Sequence, residues 1–354
     1  MSAFDNHKYL FNCANGTLNL KTLEFHGHNP EDMLTKISPV EYRPEARCER
    51  WEKFVDEVMM GDKEVSEYLQ KAIGYSLTGD TSLECFFILY GPTTRNGKTT
   101  TIKTILKVLG EYGHTANAKT IEASTLATGG TGPSENIARI AGARFIGIPE
   151  LNYKLTLDSS LMKQLTGNNR MTARFLHENS FEFDPQAKIF LDTNHLPVVP
   201  DQTLFESGRI KIIPFNRHFE DVEQDPGLKD TLGMPEALSG ILNWCIEGYG
   251  KLQKQGLKDP ESVKMSTADY RLDSDTMQQF FDDCLMVKSG SELKPKEVYH
   301  RYKDWSVENG SRYEAYGEFR KKMMLKFPWH KRRSWTNNSL VTVFFDHLGW
   351  REEA

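Results

Sequence analysis

A lysine and a threonine stand together at the start of a predicted helix, where their side chains could bind a nucleotide phosphate. The stretch FFILYGPTTRNGKTT (86–100) indicates a buried strand, a turn that contains glycine, and a helix that begins near Lys98. Backbone N–H groups in such a turn and the N-terminus of the helix attract phosphate oxygens. Lys98 could reach the β- and γ-phosphates, and the Thr99 hydroxyl could coordinate Mg²⁺. The predicted nucleotide-binding residues are Gly91, Asn96, Gly97, Lys98, Thr99 and Thr100.

The spacing of the two glycines departs from that of the general phosphate-binding loop. That loop has four residues between its first glycine and the Gly-Lys pair, whereas five residues separate Gly91 from Gly97. Either the loop carries one extra residue, or Gly91 is not the turn glycine. The competing interpretation is an Asn-Gly turn with a solvated Lys98, and it leaves the preceding apolar run unexplained.

Two polar side chains end later apolar runs of the same kind. Glu150 ends ARFIGIPE (143–150), and Asn194 ends AKIFLDTN (187–194). Ligands bind at the carboxyl ends of parallel strands. Glu150 could therefore orient an attacking water and share Mg²⁺ with Thr99, while Asn194 could contact the γ-phosphate or that water. Asp192 is an alternative polar group on the same run.

Four short apolar runs predict the sheet that would position these groups. They are CFFILY (85–90), ARFIGIPE (143–150), AKIFLDTN (187–194) and RIKIIPF (209–215). Strands separated by helical stretches indicate an α/β core with a parallel sheet. The glycine-rich segment TGGTGPS (128–134) is interpreted as a surface loop, since its glycines alone are weak support for a phosphate site.

The flanking segments are predicted to be strands and turns first and mainly helices afterwards. An Asn-Gly turn precedes alternating apolar residues at 15–20, and apolar residues recur at helical spacing from 46 to 77. The remaining predictions are a long helix over 235–255, a linker at 258–264, helices near 276–286, 295–308 and 315–327, and a strand over 339–345. The last three helices and the strand suit a winged helix.

Composition excludes several classes of protein. The chain has 354 residues, 26% charged and 38% hydrophobic, which is typical of a globular protein with two or three domains. No run approaches the roughly 20 apolar residues that span a bilayer. The N-terminus lacks a signal-peptide pattern, and the five scattered cysteines form no CxxC pair. We therefore expect a cytoplasmic protein with no structural metal. The net charge of −5 means that any nucleic-acid site is local.

The motifs, taken in order, resemble those of the superfamily 3 helicases. They are LYGPTTRNGKTT, ENIARIAGARFIGIPELN, LMKQLTGNNRMTARFL, KIFLDTNHLP and GRIKIIPF. More narrowly, the chain is similar to the phage/plasmid primase–helicase family, which is related to the poxvirus primase–helicase. The similarity extends to both flanks and covers nearly the whole chain. It implies an AAA+-like P-loop NTPase core that binds ATP and Mg²⁺, forms a hexameric ring and moves along single-stranded and forked DNA.

The resemblance also implies roles for further residues. Glu150 matches the catalytic acid, Asn194 the polar sensor, and Arg209 the region of an arginine that acts on the neighbouring subunit's site, although family members often have two arginines there. The segment 163–183 matches a motif that leads to a DNA-contacting hairpin. Its candidate DNA contacts are Lys163, Arg170, Arg174 and His177, although Lys163 could instead serve the ATP site. Many family members carry an upstream primase domain, for which this chain has no room, so we expect either a separate primase or a chain that is a fragment.

A basic stretch near the C-terminus is a second candidate nucleic-acid site. RKKMMLKFPWHKRR (320–333) holds seven Lys or Arg and no acid, with aromatic residues between them. In a winged helix it would cover the recognition helix and part of the wing. We predict that Lys331, Arg332 and Arg333 bind DNA, while the alternative is a solvated helix face over ordinary core residues.

The sequence thus predicts an ATP-dependent hexameric DNA helicase for a phage, plasmid or other mobile element in a bacterial cytoplasm. An ATP-switched replication initiator that binds or melts an origin is the alternative, and a P-loop kinase would leave the basic stretch unexplained. The expected domains are an N-terminal collar (1–80), the motor (81–222), a helical lid or linker (223–273) and a winged-helix-like domain (274–354).

Overall fold

The computed structural model describes residues 4–123, 135–149, 155–309, 313–333 and 341–351, which divide into two compact units, 1–270 and 271–354. The strands of the first unit are β1 (Leu10–Cys13), β2 (Gly16–Asn19), β3 (Phe25–His26), β4 (Phe86–Tyr90), β5 (Gly113–Thr115), β6 (Phe145–Ile148), β7 (Met171–Ala173), β8 (Phe181–Phe183), β9 (Lys188–Thr193) and β10 (Ile210–Pro214). Its helices are α1 (Glu49–Val58), α2 (Lys63–Tyr75), α3 (Lys98–Leu109), α4 (Glu135–Arg139), α5 (Ser159–Thr166), α6 (Thr203–Glu206), α7 (Leu228–Thr231), α8 (Pro235–Gln255) and α9 (Glu261–Ser274), the last of which crosses the boundary.

Five parallel strands form the central sheet, in the order β10-β4-β9-β6-β5. Four of them coincide with the four predicted apolar runs, and the predicted α/β core with a parallel sheet is confirmed. The fifth, β5, was not predicted because it has only three residues and none of them is buried. Since the strands are parallel, the segments that follow β4, β6 and β9 leave the sheet at the same edge.

The N-terminal segment packs into the same core as the long helix α8. Strands β1–β3 form a small antiparallel sheet, and α1 buries the predicted apolar positions, among them Trp51 and Phe54. Helices α2 and α8 approach closely because Gly74 and Gly248 face each other's helix. A Cβ at Gly74 would lie 2.4 Å from the backbone nitrogen of Tyr249. The finer division of this unit into collar, motor and lid stays a prediction.

The predicted linker at 258–264 is wrong for its second half. Helix α9 begins at Glu261, and Val263 is fully buried in the core. Pro260 precedes the helix and its carbonyl accepts a hydrogen bond from the backbone N–H of Lys264 at 3.0 Å. Proline suits a helix start because it has no N–H to leave unpaired there. The predicted loop at 128–134 lies outside the described residues.

Two fully buried cations lie at the amino edge of the central sheet. Arg144 precedes β6, and Lys188 is the first residue of β9. The ammonium group of Lys188 donates to the carbonyl oxygens of Thr78, of Asp80 at 3.1 Å and of Gln186 at 2.8 Å. Burial, followed by repulsion from Arg144, holds the pKa of Lys188 well below its ordinary value of 10.5. The two cations therefore hold the backbone between α2 and β4 through its carbonyl oxygens. Their burial and mutual repulsion oppose folding.

The second unit combines three helices with an antiparallel sheet. Its elements are α10 (Thr276–Cys284), β11 (Leu285–Leu293), α11 (Pro295–Glu308), α12 (Tyr316–Lys326), β12 (Trp329–Arg333) and β13 (Val341–Trp350), with the sheet order β11-β13-β12. Aromatic side chains, including Phe280, Tyr302 and Phe345, form its core. The three predicted helices and the predicted last strand are present, and the winged-helix-like domain stays a prediction. Across the described ranges, no helix is both long and apolar enough to cross a membrane.

Candidate functional site

The loop between β4 and α3 follows a path that requires both of its glycines. Gly97 has a φ of +85°, which favours glycine, and a Cβ there would lie 2.4 Å from Val58 Cγ1. A Cβ at Gly91 would lie 2.3 Å from the carbonyl oxygen of Phe215 and 2.3 Å from Asn96 Nδ2. Asn96 is buried and its amide donates to the carbonyl oxygen of Thr93 at 2.7 Å. Gly91 is therefore packed inside the loop, despite the five-residue spacing.

Lys98 lies buried at the centre of the site, surrounded by oxygen atoms. Its ammonium nitrogen donates to Asn194 Oδ1 at 2.6 Å and to Asn96 Oδ1 at 2.8 Å, and it lies 3.9 Å from Asp192 Oδ1. Only 3% of the residue is exposed. Burial lowers the pKa of Lys98, and the charge of Asp192 opposes that shift. The ammonium group is thus held in place by polar partners, most of which are neutral.

Thr99 and Asp192 place two side-chain oxygen atoms next to each other beside Lys98. The Thr99 hydroxyl donates to Asp192 Oδ2 at 2.6 Å, and Asp192 is only 4% exposed. The pair forms because β4 and β9 are adjacent parallel strands, with Leu89 opposite Asp192. A hydroxyl and a carboxylate are hard ligands of the kind that Mg²⁺ prefers. The sequence named Asp192 only as an alternative to Asn194, whereas the structure brings both residues to Lys98 and Thr99.

Glu150, the predicted catalytic acid and metal ligand, lies outside the described residues. Strand β6 ends at Ile148, which pairs with Leu191 of β9 at the carboxyl edge of the sheet. The role of Glu150 therefore stays a prediction. The six predicted nucleotide-binding residues, from Gly91 to Thr100, are all described and lie in the loop or in the first turn of α3.

A cavity of about 740 Å³ opens beside the start of α3. Gly97 and Thr100 lie on one side of it. Its other walls come from α1 and from the segment after β10, and they include Arg50, Phe54, Met60, Arg217, Phe219 and Leu228. Arg50 links those two walls, because its guanidinium lies 3.3 Å from Glu57 and 3.4 Å from Asp225. The cavity therefore combines apolar surface with charged groups.

Arg209 lies at the opposite edge of the sheet from Lys98. It precedes β10, and its carbonyl oxygen accepts from the backbone N–H of Phe86, the first residue of β4. Its guanidinium donates to Glu84 Oε2 at 2.6 Å and to Thr166 Oγ1 at 2.9 Å. The structure does not bring Arg209 to the loop of its own chain, and its action on a neighbouring subunit stays a prediction.

Arg217 is a candidate residue of the site beside α3 that was not predicted from the sequence. It lines the cavity beside α3 and forms an ion pair with Glu223. Its position three residues after the end of β10, at the carboxyl edge of the sheet, was the only sequence signal.

The predicted DNA contacts of segment 163–183 occupy different surroundings. The side chain of Lys163, on α5, lies 2.6 Å from both Asp201 Oδ2 and Thr203 Oγ1. Arg170 pairs with Asp184 at 3.3 Å at the base of the β7–β8 hairpin. Arg174 and His177 lie in the segment between β7 and β8, and His177 is exposed with a φ of +65°. The hairpin is present as predicted, but Lys163 is held by Asp201 on another segment.

The three predicted DNA contacts of the second unit lie on β12, an edge strand. Lys331 and Arg333 are exposed and alternate with Arg332 along the strand. The guanidinium of Arg332 lies 2.8 and 2.9 Å from the two carboxylate oxygens of Glu292. Glu292 thus neutralises the middle one of the three cations within the chain.

Comparisons with known proteins agree with these motifs. A family model described as D5 N terminal like matches residues 2–60, and a family of unknown function, DUF5906, matches residues 89–209. A "Putative helicase" of Acanthamoeba polyphaga mimivirus is 24% identical over 327 residues, which are 86% of this chain and 34% of that protein. A "Putative helicase" of Frog virus 3 (isolate Goorha) is 26% identical over 233 residues, 61% of this chain and 24% of that protein.

Solved structures with some likeness include the NrS-1 C-terminal region in its apo form. One reaches a TM-score of 0.48 at 8% identity and covers 88% of this chain and 78% of that chain. Another reaches 0.46 at 7% identity, over 86% and 77%. The chain spans only 34% and 24% of the length of the two viral relatives. The D5 N terminal like match and the two relatives named putative helicases agree with the resemblance of the motifs to those of the superfamily 3 primase–helicases.

Proposed function

We propose that the chain is the ATP-hydrolysing motor of a DNA helicase that acts in replication. The observation that carries the proposal is the cluster of Lys98, Thr99, Asp192 and Asn194 at the carboxyl edge of the parallel sheet. The two viral relatives named as helicases support the wider function. Because the chain spans a third of one and a quarter of the other, the activity of the complete protein is part of the proposal.

The loop and α3 would bind the phosphates of ATP. Lys98 donates to the side-chain oxygens of Asn96 and Asn194, and phosphate oxygens can replace both as acceptors. Its lowered pKa would return towards the ordinary value beside the negative phosphates, so binding would favour the charged ammonium. The N-terminus of α3 adds its partial positive charge.

Thr99 and Asp192 would hold Mg²⁺, which neutralises phosphate charge when it is bound. Their oxygens already lie 2.6 Å apart at the start of α3, and both atoms are of the kind that Mg²⁺ prefers. Asn194 would contact the γ-phosphate or orient the attacking water. Glu150 would accept the proton of that water, and we expect Glu150→Gln to bind ATP without hydrolysing it.

The cavity beside α3 would hold the base and ribose. Its volume of about 740 Å³ is in the range of small-molecule sites, and Phe54, Met60 and Phe219 offer apolar surface to a planar ring. Thr100 and Gly97 line it directly next to the phosphate loop. A nucleotide could therefore extend from the loop into the cavity.

DNA would be bound by the β7–β8 hairpin and by β12 of the second unit. His177 lies exposed in the connection of the hairpin, and Lys331 and Arg333 are exposed on an edge strand. Cations such as Lys331 and Arg333 bind the phosphate backbone without regard to sequence, in a salt-dependent manner. From the family resemblance we propose that the chains form a hexameric ring, in which Arg209 of one subunit acts on the nucleotide site of the next.

The experiment that tests the function measures ATP hydrolysis by the full chain with and without single-stranded DNA, and unwinding of a forked duplex. We expect hydrolysis to rise with DNA and unwinding to require ATP, and both to disappear in Lys98→Ala. Hydrolysis that ignores DNA would contradict a motor. ATP-dependent DNA binding without unwinding would replace the helicase with the origin-binding initiator.

A further inference from the structure

Two carboxylates and one imidazole, side chains that can bind metal ions, meet on the sheet of the second unit. Glu292 comes from β11, His330 from β12 and Asp346 from β13. His330 Nδ1 lies 2.5 Å from Asp346 Oδ1, and His330 Nε2 lies 3.8 Å from Glu292 Oε1. One ligand atom from each residue lies within 4.8 Å of the others.

Strand register places the three side chains on one face. Glu292 pairs with Asp346 across β11 and β13, and His330 pairs with Phe344, two residues before Asp346. Residues two apart on a strand share a face. The ring of Phe344 stacks on His330, with centroids 5.6 Å apart and planes at 15°, and this contact orients the imidazole. Phe345, on the other face, is fully buried in the core.

The charges of this cluster favour a cation. Within the part of the chain that the structure describes, the carboxylates of Glu292 and Asp346 face one guanidinium, that of Arg332, which contacts both oxygens of Glu292. The two carboxylates thus carry one more charge than this guanidinium balances. Histidine nitrogen and carboxylate oxygen together form ligand sets for Zn²⁺ and related divalent ions, whereas Mg²⁺ prefers oxygen alone.

We propose that Glu292, His330 and Asp346 bind a divalent transition-metal ion, with Zn²⁺ as the probe. Ligand distances of about 2.0–2.2 Å place two ligands at most about 4.4 Å apart. The three side chains are about one-third exposed and need to move by less than the width of an atom to meet that limit. Water would complete the coordination, because three protein ligands leave positions open.

Metal binding would also change the state of Arg332. An ion that takes the Glu292 carboxylate weakens its contact with Arg332, which lies between Lys331 and Arg333 on β12. The guanidinium would then be available to a phosphate. This consequence rests on the proposed function, since it concerns DNA, whereas metal binding by itself does not.

The test is calorimetric titration of the metal-stripped full chain with ZnCl₂ in millimolar Mg²⁺. We expect one site of micromolar affinity or tighter that is lost in His330→Ala and weakened by about tenfold or more in Asp346→Asn. His300→Ala, which removes another exposed histidine of this unit, should keep it. The five cysteines are all buried, which limits their competition for the ion.

Three outcomes decide the inference. Absence of a saturable site in the wild type, or an unchanged site in both His330→Ala and Asp346→Asn, would overturn it. Should His330→Ala unfold, as judged by circular dichroism, Asp346→Asn decides alone because it keeps the shape of the side chain. If Zn²⁺ binds but leaves DNA affinity and its salt dependence unchanged, the coupling to Arg332 is refuted and the metal site stands.

Discussion

The ammonium nitrogen of Lys98 lies 2.6 Å from the Oδ1 atom of Asn194, although 96 residues separate them in the sequence. The contact exists because β4 and β9 are adjacent and parallel, with Tyr90 opposite Thr193, so that the segments following both strands emerge side by side. The loop between β4 and α3, which is the proposed phosphate site, therefore contacts the segment after β9 within the folded chain.

Replacing Lys98 tests this cluster directly. Lys98→Met keeps the apolar stem in its buried position and removes the charge, so we expect folding to persist and ATP hydrolysis to fall by about 10²-fold or more. Lys103→Met, an exposed position on the same helix, is the matched control and should hydrolyse ATP normally. Equal activity in the two variants would place the phosphate site elsewhere.

The Thr99–Asp192 pair predicts a specific dependence on Mg²⁺. Asp192→Asn should raise the Mg²⁺ concentration needed for half-maximal hydrolysis by about tenfold or more, because an amide binds Mg²⁺ less strongly than a carboxylate. Thr99→Val should do the same, and Thr99→Ser should restore the wild-type requirement. Steady-state hydrolysis across a Mg²⁺ series checks this, and a lower maximal rate at an unchanged Mg²⁺ midpoint would argue against metal binding.

Arg209 forms an ion pair with Glu84 of its own chain. Its replacement is therefore expected to change stability as well as any catalytic role, and the two effects need separate measurements. Arg209→Ala should lower the free energy of unfolding by about 1–3 kcal/mol, since it removes charge-assisted hydrogen bonds from a side chain that is only 16% exposed. Glu84→Gln disturbs the same contact and keeps the arginine.

Mixing the variants with wild-type chains distinguishes the two roles. If Arg209 acts on a neighbouring subunit, added Arg209→Ala chains should inhibit wild-type hydrolysis more than added Glu84→Gln chains do. Identical behaviour of the two variants in urea unfolding and in mixing would make Arg209 structural only.

The cations of β12 should contribute unequally to DNA binding. Lys331→Gln with Arg333→Gln should weaken binding and reduce the slope of log affinity against log salt by about 2, one for each lost phosphate contact. Arg332→Gln should have a smaller effect in metal-free buffer, because Glu292 already neutralises that guanidinium. Fluorescence anisotropy with labelled single-stranded DNA over a salt series measures both slopes. Equal slopes for all variants would remove β12 from the DNA interface.

The buried Lys188 should make the free energy of unfolding depend on pH. Folding lowers its pKa, so between the folded pKa and the ordinary value of 10.5 the unfolded chain binds more protons than the folded chain. The free energy of unfolding should therefore rise with pH in that window, by up to about 1.36 kcal/mol per pH unit. Lys188→Met lacks this contribution. Urea unfolding at several alkaline pH values should show the wild type gaining stability relative to the variant, and a constant difference would contradict the prediction.

Local patterns in the sequence were sufficient to predict most strands of the first unit's central sheet. Continuous apolar runs identified β4, β6, β9 and β10, because a strand buried on both faces carries its signal in consecutive residues. The same holds for the loop from Gly91 to Thr100, whose parts are contiguous. Strand β5 was not predicted because a three-residue strand without a buried side chain has no such pattern.

The sequence by itself therefore determined the parallel α/β core, the loop that joins β4 to α3 and the resemblance to superfamily 3 helicases. Tertiary structure alone decided that Asp192 contacts Thr99, that Arg209 lies against Glu84 at the opposite edge, and that Glu292, His330 and Asp346 meet on one face. The physical reason is that each of these contacts depends on which strands pair and in what register. Burial of the whole core sets that pairing, and the spacing of residues along the chain does not reveal it.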